Sequence, residues 1–134
     1  MPQWPKQAFE AQQSSALDSS VRGQMDFAII GNCQVSALVH RTGRVSWCCM
    51  PRPDAPSVFA SILDEEQGGF WSIEPAAPER WKCRQEYLNN TNVLRTIFES
   101  LDKECAFEIV DFCPRYLHHD QVHRPVSIAR VIRP

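Results

Sequence analysis

From Asp26 onward the chain alternates short apolar runs with clusters of Gly, Pro, Asn and Asp, the rhythm of short strands joined by turns. Phe27–Ile30 is closed by Gly31 and Asn32. Val35–His40 and Val45–Met50 then flank Arg41-Thr-Gly-Arg44. This spacing predicts an antiparallel hairpin with Gly43 at the loop position that needs positive φ. Phe70–Ile73, Arg84–Leu88, Val93–Glu99, Cys105–Phe112 and Val126–Ile132 predict further short strands. Pro51, Pro53 and Pro56 lack ladder donors and hold the backbone extended, so the sheet must stop there and a loop of imposed shape begin. Ser57 can cap a short helix over Val58–Asp64, where Val58 and Ile62, with Phe59 and Leu63, give an apolar side at i, i+4 spacing. Gly68-Gly69 ends that excursion. The pattern as a whole predicts an all-β fold, an antiparallel β-sandwich with one short helix.

Both ends of the chain depart from this rhythm. Residues 1–25 are rich in Gln, Ser and Ala without an apolar period, which predicts a flexible polar leader ahead of a domain over residues 26–134. The run Val126–Ile132 finishes two residues before Pro134. A strand in that position needs a neighbour, so the sandwich is expected to be incomplete at its C-terminal end and to carry an open apolar edge.

Composition then removes several function classes. The 134 residues carry 14 Lys and Arg against 16 Asp and Glu, a formal charge of −2 that gives no field for steering towards phosphate backbones, so nucleic acid is not expected as a partner. Neither an apolar signal region nor a membrane-length apolar run is visible, and a soluble, cytoplasmic protein is expected. The six cysteines, Cys33, Cys48, Cys49, Cys83, Cys105 and Cys113, form no C-x-x-C or Cys/His zinc spacing; they read as small buried thiols in strands. Cys48 and Cys49, adjacent in a strand, should point to opposite faces.

Ile30-Gly-Asn-Cys-Gln-Val-Ser-Ala-Leu-Val39, Arg41-Thr-Gly-Arg-Val-Ser-Trp47 and Pro51-Arg-Pro-Asp-Ala-Pro-Ser-Val-Phe59 are followed by Leu63-Asp64, Gly68–Pro75, Tyr87-Leu88, Thr91–Leu94, Val110–Arg115 and Arg124–Pro134. This colinear set resembles the N-terminal domain of family 15 glycoside hydrolases, which include bacterial glucoamylases and trehalases. The resemblance implies a sandwich that is part of a supersandwich and that packs against an α-helical toroid catalytic domain lying beyond Pro134. It also implies inverting hydrolysis of α-glucosidic bonds, of trehalose or another α-glucoside, without metal or organic cofactor. Inversion needs two carboxyl groups about 6.5–9.5 Å apart to admit a water. The two glutamates of the family lie outside this chain, so no residue here inherits a catalytic role. Ser46 and Pro53 depart from the family pattern, which usually has Asp and an aromatic residue there.

Candidate contacts with substrate are few. Arg52 and Asp54 sit on the proline-shaped loop, which presents polar groups at low entropic cost and is expected to border the parent's substrate pocket; the alternative is a local ion pair that closes the loop. Trp81 offers a flat apolar face to a sugar ring, whereas Trp47 and Trp71 lie within strand-like runs and are expected to pack. His118, His119 and His123 with Asp120 read as a solvated loop rather than a metal site. Glu99, Asp102, Glu104 and Glu108 read as strand-edge and turn charges, and Asp111 as the residue that fixes a turn before Pro114. Two functions of different class remain: the structural and interface domain of a glycoside hydrolase, or a free-standing carbohydrate-binding or protein-interaction sandwich.

Overall fold

The computed structural model describes residues 26–134; the leader expected over residues 1–25 lies outside the described residues. Strands β1 (Phe27–Gly31), β2 (Ser36–His40), β3 (Val45–Cys49) and β4 (Ser57–Ala60) form one sheet in that order. Strands β5 (Trp81–Tyr87), β6 (Leu94–Ser100), β7 (Ala106–Phe112) and β10 (Ala129–Arg133) form a second, in the order β10-β7-β6-β5. Between β7 and β10, β8 (Tyr116–His118) and β9 (Gln121–His123) make a separate hairpin. Every pairing is antiparallel, so the architecture is the all-β sandwich that the apolar rhythm predicts.

Alternation along the strands makes the core. Ile30, Ala37 and Cys48 are register neighbours across the first sheet and share one face with Val39 and Val45; all five are fully buried. They pack with Leu94 and Cys113 from the second sheet into one cluster, with Phe59 and Ile128 at its margin. Each fully buried aliphatic side chain of this kind contributes about 1.5–3 kcal/mol.

Polar bonds run along the seam between the sheets. Tyr87 caps the free edge of β1: the Ile29 N–H donates to its hydroxyl at 2.9 Å, and the hydroxyl donates to the Ile29 carbonyl at 2.9 Å. Gln85 Nε2 donates to the His40 carbonyl, Cys83 Sγ to that of Arg41, and Asn92 Nδ2 to that of Gly31. Beneath them lies a fully buried ion pair. Arg130 Nε and Nη2 reach Asp111 Oδ1 and Oδ2 at 2.8 and 3.2 Å, while Nη1 donates to the Trp71 carbonyl at 2.9 Å and Nη2 also to that of Gly43. Gly43, at φ +81 in the β2–β3 hairpin, places that carbonyl against the second sheet. Asp111 therefore does not fix a turn before Pro114; it anchors the arginine that joins the two sheets.

Three further expectations are corrected. Ser57 does not cap a helix: Ser57–Ala60 is strand β4, paired with β3, which places Phe59 opposite Cys48 at the core margin. The apolar side read at i, i+4 yields one helix-like turn, Asp64 N–H to Ala60 carbonyl at 3.1 Å, before the chain folds back. Gly68 closes that loop so tightly that a Cβ would lie 2.3 Å from the Ala60 oxygen. Phe70–Ile73 makes only a bridge, Trp71 to Val45, and the helical content of the described residues is a 3-10 turn at Pro78–Arg80. Of the six cysteines, all free, Cys48, Cys49 and Cys113 are buried as expected, but Cys33, Cys83 and Cys105 are exposed. Cys48 and Cys49 are both buried because the register shifts between them. Burial pushes the Cys113 thiol up to about 11, which makes it an inert packing group.

His40 closes the lower end of the seam, with its ring edge-on to Phe27 at 5.2 Å and its Nδ1 2.9 Å from Thr42 Oγ1. Burial, and after it the charge of Arg44, lowers its pKa from the ordinary 6.5. The unfolded chain thus binds this proton first as pH falls, so the folded state loses stability below 6.5, down to the lowered folded value.

Two outcomes follow from these contacts. Asp111→Ala, which leaves the Arg130 charge buried without a counter-ion, should cost about 3–5 kcal/mol in urea unfolding. Replacing both, Asp111→Leu with Arg130→Met, should recover only part of that loss, because the Gly43 carbonyl loses its donor at about 1–3 kcal/mol. Full recovery would show that the pair and its carbonyl contacts do not hold the sheets. Separately, the drop in urea midpoint between about pH 7.5 and about pH 5.5 should be smaller in His40→Gln than in the unaltered chain; equal drops would exclude His40 as the source.

Candidate functional site

The antiparallel register sorts the loops to two ends. One end gathers the β1–β2 loop (31–36), the proline-rich loop (50–56), the β6 entry (88–93) and the hairpin β8–β9. The other gathers the β2–β3 turn (41–44), the segment 74–80 and the β6–β7 turn (101–105). Arg52 and Asp54 belong to the first end and Trp81 to the second, so the structure separates the candidates that the sequence singled out.

The first end is built around Asn32, which is buried. Its Oδ1 accepts from the N–H groups of Gln34 and Val35, while its Nδ2 donates to the carbonyls of Pro114 and Pro125 at 2.9 and 2.8 Å. One side chain thus shapes the β1–β2 loop and clamps both stems of the β8–β9 hairpin, a role that the sequence signals only as an Asn beside Gly. On the hairpin, Tyr116, Leu117 and Val122 are exposed, Leu117 at 72%. His118, His119 and His123 stand close together, with His119 and Asp120 in the turn at positive φ. Among the described residues no group of three or more His, Cys, Asp or Glu could hold a metal ion.

The proline-rich loop enters through a cis Met50–Pro51 peptide and is pinned by the Ala55 N–H to the Arg52 carbonyl at 3.0 Å. Arg52 donates to Asp54 through Nε at 3.0 Å and through Nη2 at 2.9 Å, a bidentate pair whose two side chains are 65% and 70% exposed. Exposed pairs of this kind are worth about 0–1 kcal/mol, so either group can exchange its partner for another at little cost. Pro53 lines a hollow of about 310 Å³ with Ile29, Cys33, Val35 and Asn92. A neighbouring hollow of about 590 Å³ runs from Asn92 to Pro114 and Tyr116.

At the second end Trp81 is half-buried, edge-on to Phe107 at 5.6 Å and 68°. Trp47 is half-buried on the face opposite Cys48, and Trp71 lies under the Arg130 guanidinium, 5.0 Å from the ring centroid. On the outer face of the second sheet Arg84, Glu86, Arg95, Glu108 and Arg133 form a chain of ion pairs across four strands, which screens Ile97 beneath it. Glu108 is thus a member of this network rather than an isolated edge charge. Among the described residues no helix is long and apolar enough to cross a membrane.

Comparison with known proteins agrees with this architecture. Trehalase 1 of Sulfolobus acidocaldarius is 42% identical over 92 residues, 69% of this chain and 15% of that protein. Trehalase 2 of the same organism is 35% identical over 91 residues, 67% of this chain and 14% of that protein. A trehalase of Mycolicibacterium smegmatis is 44% identical over 79 residues, 56% of this chain and 11% of that protein. The chain therefore spans about a seventh of the length of these relatives or less. No solved structure matches it. The trehalase-like N-terminal domain family matches residues 20–133, nearly all of the sandwich and its approach, and the chain belongs to that family.

Proposed function

We propose that this chain is the N-terminal structural and interface domain of a trehalase-like glycoside hydrolase, and that the end bearing Arg52 and Asp54 faces the rest of the enzyme. The observation that carries the reading is the family match over residues 20–133 in a chain that corresponds to only a small part of the trehalases it resembles. The geometry supports the choice of end. The pre-shaped proline loop, two hollows and a projecting hairpin with exposed Tyr116, Leu117 and Val122 all crowd there. Exposed apolar side chains on a two-stranded arm are poorly accommodated by water and are well suited to a protein partner. That partner is the parent's α-helical toroid catalytic domain, and the substrate is trehalose or another α-glucoside.

In this reading the catalytic carboxyl groups belong to that other domain, and this chain supplies a wall. Arg52 or Asp54 leaves the other to bond a sugar hydroxyl at the cleft rim. A further strand of the parent's sandwich adds to β10, which lies at the edge of its sheet with Val131 and Ile132 exposed. The domain covers residues 26–134, close to the family match over residues 20–133, and the polar stretch 1–25 precedes it. The chain belongs in this reading to a reducing compartment, the cytoplasm, since its cysteines show no spacing of a disulfide framework.

In a full-length trehalase carrying this domain, Arg52→Ala should raise KM for trehalose roughly ten- to a hundredfold, the loss of one hydrogen bond from a charged donor, with kcat little changed. Leu117→Asp should lower the melting temperature of the full-length enzyme while leaving the melting of the isolated chain in place. An unchanged KM together with unchanged melting of the enzyme would overturn the assignment of this end as the interface.

A further inference from the structure

At the end of the sandwich away from Arg52, the β2–β3 turn, the segment 74–78 and the start of β5 line a cleft of about 430 Å³. That lies within the range of about 300–1,000 Å³ typical of small-molecule sites. One wall is apolar and rigid: Trp81 is held by Phe107, which itself stacks on buried Phe98 at 4.7 Å and 10°, so the indole is oriented before any ligand arrives. The other wall is polar, made by Thr42, Arg44 and Glu74 with His40 behind them.

Arg44 supplies a second, independent observation. Its Nη1 lies 3.6 Å from Glu65 and its guanidinium sits 5.0 Å from the Phe70 ring centroid, yet its Nε is buried with no hydrogen-bond partner among the described residues. The Nε is out of reach of solvent, so a ligand in the cleft would meet Arg44 through the exposed part of its side chain, 26% of it.

We propose that this cleft binds a neutral hexopyranose unit, with one face of the ring on Trp81 and its hydroxyls bonded to the exposed part of the Arg44 guanidinium, Thr42 Oγ1 and the Glu74 carboxylate. An aromatic face opposite a mixed set of donors and acceptors matches a pyranose, which has an apolar C–H face and a rim of hydroxyls. The charge balance favours a neutral ligand over a phosphorylated or carboxylated one: Arg44 is offset by Glu65 and shares the cleft lining with Glu74, and burial disfavours a charge on His40. An adjoining cleft of about 630 Å³ shares Glu74, Pro75 and Trp81, so the indole stands between two lobes and an α-linked disaccharide reaches both. The site rests on the chemistry of this cleft alone and does not depend on which end of the domain meets an enzyme.

The test is a ¹H–¹⁵N chemical-shift titration of the full chain with methyl α-D-glucopyranoside, maltose and glucose 6-phosphate, up to about 50 mM, where even a millimolar site saturates. The expected result is perturbation at the amides of Thr42, Arg44 and Glu74 and at the Trp81 indole N–H, with maltose bound more tightly than the monosaccharide. Trp81→Ala and Arg44→Met should each weaken binding roughly tenfold or more, while Trp81→Phe, which keeps an aromatic face, retains most of it. No perturbation by either neutral sugar, perturbation confined to residues 31–35 and 90–93, or tighter binding of glucose 6-phosphate would each overturn the proposal.

Discussion

The sandwich depends on one buried charge pair. A guanidinium and a carboxylate withdrawn from water each lose several kcal/mol of solvation, and the loss is tolerable only if every donor finds an acceptor in good geometry. Arg130 comes close to that condition, with all three of its nitrogens donating and four of its five N–H groups bonded, to both oxygens of Asp111 and to the carbonyls of Trp71 and Gly43. Desolvation raises the Asp111 pKa, and the hydrogen bond and charge of Arg130 pull against it. The same four contacts tie β7 and β10 to the β2–β3 turn and to the bridge at Trp71. Sheet spacing and register are thus set by a polar interaction of fixed geometry, around which apolar packing, tolerant of small shifts, arranges itself.

The rest of the architecture separates two kinds of surface. At one end, Asn32 spends both ends of its amide on organising loops, leaving the proline loop and the β8–β9 hairpin to project with exposed polar and apolar groups. At the other, the aromatic group Phe98, Phe107 and Trp81 faces Arg44 and Glu74 across a cleft scaled to a small molecule. The outer face of the second sheet, laced with ion pairs, offers neither.

Much of this was legible along the chain. Gly43 between two apolar runs marks the hairpin, and the alternation in Ile30, Ala37, Val39 and Val45 marks the buried face; the three prolines mark the end of β3 but not of the sheet, which resumes after them with β4. The colinear motifs also carry the family assignment. The errors cluster where local periodicity and tertiary pairing compete. Val58, Ile62 and their neighbours satisfy a helical period over one turn, but β3 offers a free edge with a place for Phe59 beside the core, and pairing along a strand wins over a single unsupported helical turn.

What the sequence determined by itself is the fold class and most strands of the two sheets, which follow from short-range alternation and turn chemistry, and the family, which the colinear motifs carry. What only the tertiary structure decided is partnership. The union of Asp111 with Arg130, the clamp of Asn32 on Pro114 and Pro125, and the placing of Arg52 and Trp81 at opposite poles join residues distant along the chain or divide residues that look alike in it. The physical reason is that a buried charge or amide is satisfied by whatever the fold brings within hydrogen-bonding distance, and a linear pattern carries no record of that distance.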